Sequence, residues 1–99
     1  EESDVERLLG YMKSRFVDQG IPVIIGEFGA MKRTNPADLA LHLNSVDYYH
    51  RYVTSSAKSK GITMFYWDTG SSTNGIFNRS TGAIVDQRTL SALIQGAGN

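Results

Sequence analysis

Glu27 sits between glycines in Gly26-Glu27-Phe28-Gly29, at the end of the apolar run Val23-Ile24-Ile25. Further on, Trp67 and Asp68 close a second apolar run, Ile62-Thr63-Met64-Phe65-Tyr66. A carboxylate at the end of a buried strand can act as nucleophile or base, and flanking glycines let other backbone approach it. A tryptophan in the matching place offers a flat apolar surface to the C–H face of a sugar ring. Each residue has a plainer alternative. Glu27 can be an ordinary strand-end acid paired with Lys32 or Arg33, and Trp67 can be a core residue. The two strand ends together say more than either alone.

The elements that must position these residues alternate along the chain. Ser3 to Gln19 reads as a helix, with Ser3 and Glu6 as a capping box and Gly20 as its stop. Val5, Leu8, Leu9, Met12 and Phe16 give it one apolar face. The strand Val23–Phe28 follows, apolar on both faces until Glu27, with Val23, Ile25 and Glu27 sharing a face by alternation. A polar loop, Lys32-Arg33-Thr34-Asn35-Pro36, leads to a helix with Asn35 as N-cap and Pro36 as first residue. That helix, in one piece or two, ends near Lys60 before Gly61 and carries Val46, Tyr49, Val53 and Ala57 on one face.

The second strand, Ile62–Trp67, puts Thr63, Phe65 and Trp67 on one face and turns Asp68 away from it. Asp68 to Ala83 is a long loop with a small hairpin turning at Arg79-Ser80-Thr81-Gly82. Asp86 caps a last helix running to about Gly96, with Leu90, Leu93 and Ile94 inward. The order helix–strand–helix–strand–helix, with strands buried on both sides, argues for an α/β fold with a parallel sheet. Two parallel strands leave both edges open. The pattern therefore implies further strands, from a longer parent chain or from another fragment.

Composition removes several function classes. The 99 residues carry ten acids, ten bases and no cysteine, for a net charge of zero. Nothing resembles the basic footprint of a nucleic-acid or anionic-membrane binder. No apolar run approaches the roughly 18–20 residues that span a membrane. Absence of cysteine removes disulfides, thiolate metal sites and thiol nucleophiles. His42 and His50, eight apart in a helical stretch, lack the four-residue spacing of paired metal ligands and read as surface or packing residues. Tyr48, Tyr49 and Tyr52 fit helix packing. No metal site or cofactor is expected. The acidic start, without initiator Met, suggests a processed or excised piece.

The succession P-V-I-I-G-E-F-G, a helix, F-Y-W-D-T-G, then G-I-F-N-R-S-T-G and a closing amphipathic helix resembles the C-terminal end of family 5 glycoside hydrolases, the cellulase family of clan A. The resemblance covers nearly all of residues 1–99. It implies the C-terminal part of a (β/α)8 TIM barrel, strands 7 and 8. Glu27 matches the nucleophile on the seventh strand, and Trp67 the aromatic platform on the eighth. It further implies retaining hydrolysis of β-1,4-glycosidic bonds by a secreted enzyme, with cellulose or a soluble β-glucan as first substrate and mannan, xylan and xyloglucan open. Retention needs two carboxyl groups about 5–5.5 Å apart. The family's acid/base lies in an Asn-Glu-Pro motif on an earlier strand, and no Asn-Glu occurs here.

Other glutamates are only Glu1, Glu2 and Glu6. The isolated chain is therefore expected to be inactive. Its second carboxyl would come with the remaining strands. A carbohydrate-binding fragment that breaks no bond, or a structural fragment needing a complementary chain, are the alternatives.

Overall fold

The computed structural model describes residues 1–33 and 35–98. Thr34, in the polar loop expected after the first strand, lies outside the described residues. Helix α1 (Glu2–Arg15) continues into one 3-10 turn, Val17–Gln19, that stops at Gly20 in the left-handed region with φ of 80°. The expected capping box does not form. Ser3 lies inside α1, whose N-cap is Glu1. Glu6 instead reaches the long helix α2 (Leu39–Ser59), where Tyr52 Oη, Ser56 Oγ and Lys60 Nζ all donate to it. A charge-assisted bond to Lys60 at 2.5 Å outcompetes a local bond to a backbone N–H.

Helix α2 is unbroken and begins later than Asn35-Pro36 implied. Its N-cap is Asp38, whose carboxylate accepts from Leu41 N at 3.0 Å. Gly61, with φ of 73°, follows its end. Val46, Val53 and Ala57 are buried as the spacing implied. His50 takes the buried place assigned to Tyr49, which stays partly exposed. Helix α3 (Gln87–Gly96) is capped by Asp86, which accepts from Thr89 N at 3.1 Å. Its buried residues are Thr89 and Ala92, not the expected leucines; Leu90 and Leu93 are half-buried and Ile94 is exposed. The helices cross too closely for a larger inward face. A Cβ on Gly96 would stand 2.9 Å from Arg51 O and 2.8 Å from Thr54 Cβ.

Strands β1 (Ile24–Phe28) and β2 (Thr63–Tyr66) pair in parallel. Partners are Ile24 with Thr63, Ile25 with Met64, and Phe28 with Tyr66. Between the last two rungs β1 spends one residue more than β2, so Gly26-Glu27 form a bulge. Val23 and Ile25 pack on the core of Leu9, Ala57 and Ile62, together with Val5, Val17 and Met64. Past the bulge Phe28, not Glu27, returns to the helix side, where its ring stands edge-on to His50 and Tyr66. The expected sharing of a face by Val23, Ile25 and Glu27 is thus corrected. Simple alternation fails by one residue, and Glu27 joins Ile24 on the opposite, exposed side.

That opposite side is apolar and bare among the described residues. Ile24 is 65% exposed and Phe65 52%. The chain pattern asked for burial on both faces, and these elements cover one. The radius of gyration, 14.6 Å, exceeds the about 13 Å of a well-packed chain of this length.

Candidate active site

Glu27 and Trp67 stand at the C-terminal ends of the two strands. Trp67 N donates to Phe28 O at 2.9 Å, the last bond joining the strands. Both side chains line one cleft of about 270 Å³, with Met31, Thr69 and Asn74. Trp67 is 53% exposed within this chain. Among the described residues the Glu27 carboxylate has no ion-pair or hydrogen-bond partner. Lys32, its suggested partner, donates instead to Asp86 at 2.5 Å. A larger cleft, about 600 Å³, opens between α1 and α2 around Tyr48, Tyr49 and Tyr52. There Tyr48 stacks on Tyr52 and donates to Glu2, which fits the helix-packing role expected of these tyrosines.

The loop after β2 is folded around two polar side chains. Asp68 Oδ1 accepts from Gly70 N, and Oδ2 from Ile76 N and Phe77 N. These backbone bonds, that from Ile76 foremost, hold its carboxyl below the usual range. Asp68 is thereby committed to shaping the loop. Asn74 is 5% exposed and joins the loop to the strand: Nδ2 donates to Trp67 O, while Oδ1 accepts from Thr69 and Ser71 hydroxyls. Tyr66 Oη donates to Asn74 O. Burial pushes the Tyr66 hydroxyl up to about 12, so it stays a donor. The expected hairpin is present, with Phe77 bridging Ile84 and Gly82 N donating to Asn78 O.

The loop after β1 is held from three directions. Ala30 N donates to His50 Nε2 at 3.1 Å, Arg33 N to His42 Nε2 at 2.8 Å, and Lys32 N to Thr73 O at 2.8 Å. His50 is fully buried, and its ring meets Phe28, Tyr49 and Tyr66 edge-on. The sequence reading gave neither histidine nor Asn74 a part at the site. His50 carried a signal: it sits in register with Val46, Val53 and Ala57 on the buried face. Asn74 carried none, because its partners are set by a loop conformation that no spacing encodes.

Asp86 lies behind the loops. Burial pushes its carboxyl up, but Lys32 and the Thr89 N–H and hydroxyl outweigh that and hold it below the usual range. Among the described residues, no cluster of three or more His, Asp or Glu side chains could hold a metal ion. No helix is long and apolar enough to cross a membrane. The cleft thus offers one carboxylate without a partner beside one exposed indole.

A family model, Cellulase (glycosyl hydrolase family 5), matches residues 1–73. Endoglucanase B of Neocallimastix patriciarum is 35% identical over 102 residues, covering 98% of this chain and 20% of its own length. The xyloglucan-specific endo-beta-1,4-glucanase of Bacteroides ovatus is 33% identical, with 97% of this chain and 19% of the relative covered. A Bacteroides ovatus GH5 xyloglucanase solved with a XXXG heptasaccharide superposes with a TM-score of 0.93 at 31% identity, covering 100% of this chain and 21% of that one. A GH5 xyloglucan-specific beta-1,4-glucanase from a ruminal metagenomic library, solved with XXLG, gives 0.91 at 30% identity, covering 98% and 27%. The chain therefore spans about a fifth of the length of these curated relatives.

Proposed function

This chain belongs to glycosyl hydrolase family 5, and on that premise we propose that it supplies the nucleophile of a retaining endo-β-1,4-glucanase. Residues 1–99 form the C-terminal segment of the catalytic barrel, with β1 and β2 as strands 7 and 8. The remaining strands come from the parent chain or a complementary fragment and cover the bare face of Ile24 and Phe65. Active sites of such barrels gather at the C-terminal strand ends, where Glu27 and Trp67 stand.

Glu27 attacks the anomeric carbon, the bond to the leaving oxygen breaks, and a glycosyl ester forms. A second carboxyl group, outside this sequence, protonates the leaving oxygen and then takes a proton from the water that cleaves the ester. Trp67 supports the sugar ring. The substrate is a β-glucan, cellulose or a soluble relative, and the enzyme is secreted, because a polymer of this size meets its hydrolase outside the cell. The observation that carries the reading is the shared cleft of Glu27, without a partner, and Trp67.

Trapping tests the reading. A 2-deoxy-2-fluoro glycoside with a good leaving group, incubated with the assembled enzyme, should label a peptide containing Glu27. The Glu27→Gln variant should take up no label and release no reducing sugar from carboxymethylcellulose. Label on another carboxylate sinks the assignment.

A second reading is sugar binding without hydrolysis. One observation favours it for the chain alone: among the described residues, Glu27 is the only acid lining the cleft. In that case the chain and its Glu27→Gln variant bind cello-oligosaccharides equally, and neither turns them over.

A further inference from the structure

His42 and His50 lie eight residues apart on α2. Each accepts a backbone N–H from the loop that follows β1, His50 from Ala30 and His42 from Arg33. An imidazole can accept at Nε2 only when neutral, with its proton on Nδ1. A protonated ring has nothing to accept with and would set N–H against N–H.

His50 has the stronger hold. It is fully buried, and its ring braces Phe28 and Tyr66, the residues beside Glu27 and Trp67. Its buried Nδ1 lies toward Val46 O, one turn back, without reaching hydrogen-bond geometry. The sheet bulge makes this brace matter. Phe28 is on the helix side because β1 gains a residue at Gly26-Glu27. Fixing Phe28 and Ala30 fixes the backbone on the C-terminal side of the bulge that turns Glu27 outward.

We propose that His50 is a positioning residue for Glu27: its neutral ring, with His42 holding the same loop at Arg33, latches the loop after β1, and protonation of His50 releases it. The role of Glu27 itself is taken from the reading above.

Charged and titratable groups face the latch from every side. Burial pushes His50 down, which favours the neutral, accepting form. Asp86 at the start of α3 and Asp47 on α2 act to raise it, and Lys32 in the latched loop acts to lower it. Tyr66 keeps its proton, and Tyr49 stands edge-on beside the ring. Asp38 caps the helix one turn before His42. Acidification adds a proton to His50 first; the Lys32–Asp86 pair that anchors the same loop gives way only at lower pH, because Asp86 is held below the usual carboxyl range.

The test is NMR on the assembled enzyme, with residues 1–99 labelled with 13C and 15N. At pH 7.5 a coupling across the Ala30 N–H···Nε2 bond to His50 is expected, with the ring proton on Nδ1. On lowering pH, the Glu27 carboxyl carbon should show its own titration and a second inflection that coincides with loss of that coupling. In His50→Gln, whose amide oxygen accepts at any pH, the Ala30 amide should stay protected from exchange and the second inflection should vanish. Absence of the coupling at pH 7.5 overturns the proposal. So does a Glu27 signal with no inflection tied to His50, or one that persists in His50→Gln. If His50→Gln does not fold, the coupling and the Glu27 titration of the unaltered chain decide alone. None of these signals requires turnover. Failure of the latch is therefore distinguishable from failure of Glu27 as nucleophile, which the trapping experiment reads.

Discussion

The N–H of Trp67 donates to the carbonyl of Phe28, at 2.9 Å, so the exposed indole and the exposed carboxylate are tied through adjacent backbone. The tie follows from the bulge in β1. With strict alternation Phe28 would face the bare side of the sheet, and Glu27 would be turned toward the helices. The extra residue places Glu27 and Trp67 on one side.

If Trp67 is a sugar platform, removing it should weaken binding more than folding. In the assembled enzyme Trp67→Ala should lose about 1–2 kcal/mol of cello-oligosaccharide affinity, ~10-fold or a little more. Trp67→Phe should recover part of it. Unfolding midpoints of this chain should move little, because within it the side chain is 53% exposed. Equal affinity in calorimetric titrations of wild type and Trp67→Ala would remove the platform role.

Asn74 is a structural support for that platform. Asn74→Leu replaces a 5% exposed amide and leaves the part-buried Trp67 O without its donor, while the exposed Thr69 and Ser71 hydroxyls turn to water. Leaving such groups unpaired costs about 1–3 kcal/mol. Denaturant unfolding should show that loss, and Trp67 fluorescence should shift before global unfolding begins. Unchanged stability would mean that water replaces Asn74 at no cost.

Stability should depend on pH in two stretches, both falling toward acid. Glu6 is held near 2, by Lys60 first and then by Ser56 and Tyr52, against an ordinary value of 4.5. A carboxyl depressed on folding stabilises fully above its unfolded value, and that contribution is lost as pH drops from about 4.5 toward 2. His50 is depressed by burial from 6.5. Below 6.5 the unfolded chain takes up a proton that the folded chain resists, so stability falls there as well. Melting temperatures of Glu6→Gln and His50→Gln across pH 2–8 separate the stretches. Glu6→Gln should shrink only the lower one, where Asp68 and Asp86, also held below the usual range, still contribute. A flat profile in the unaltered chain contradicts both assignments.

The bare sheet face should make the isolated chain associate. Ile24 and Phe65 on that face are both more than half exposed, an apolar surface that a soluble monomer rarely carries in one patch. Sedimentation velocity should show concentration-dependent oligomers, and an apolar dye should bind with enhanced fluorescence. Ile24→Lys with Phe65→Lys should abolish both. A strictly monomeric chain that ignores the dye would argue that no further strands are needed.

The sequence by itself determined the succession of elements, the parallel pairing and the residues at the strand ends. Periodicity of apolar residues is local, and Asp86, Gly20 and Gly61 act as helix punctuation within a few residues of where they stand. The Glu27 and Trp67 motifs were legible for the same reason: each is a short string at the end of a recognisable strand. Tertiary structure decided what depends on distant partners. Glu6 gave up a local cap because α2 brought Lys60, Ser56 and Tyr52 to it. The helix α2 began at Asp38 rather than Asn35, and Thr89 and Ala92 displaced larger residues where α3 presses on α2. Above all, the side on which Glu27 emerges was set by one extra residue in the ladder. A bulge changes no residue type, so alternation read along the chain cannot see it. Only pairing with β2, and the packing of Phe28 against His50 and Tyr66, fixes which way the carboxylate points.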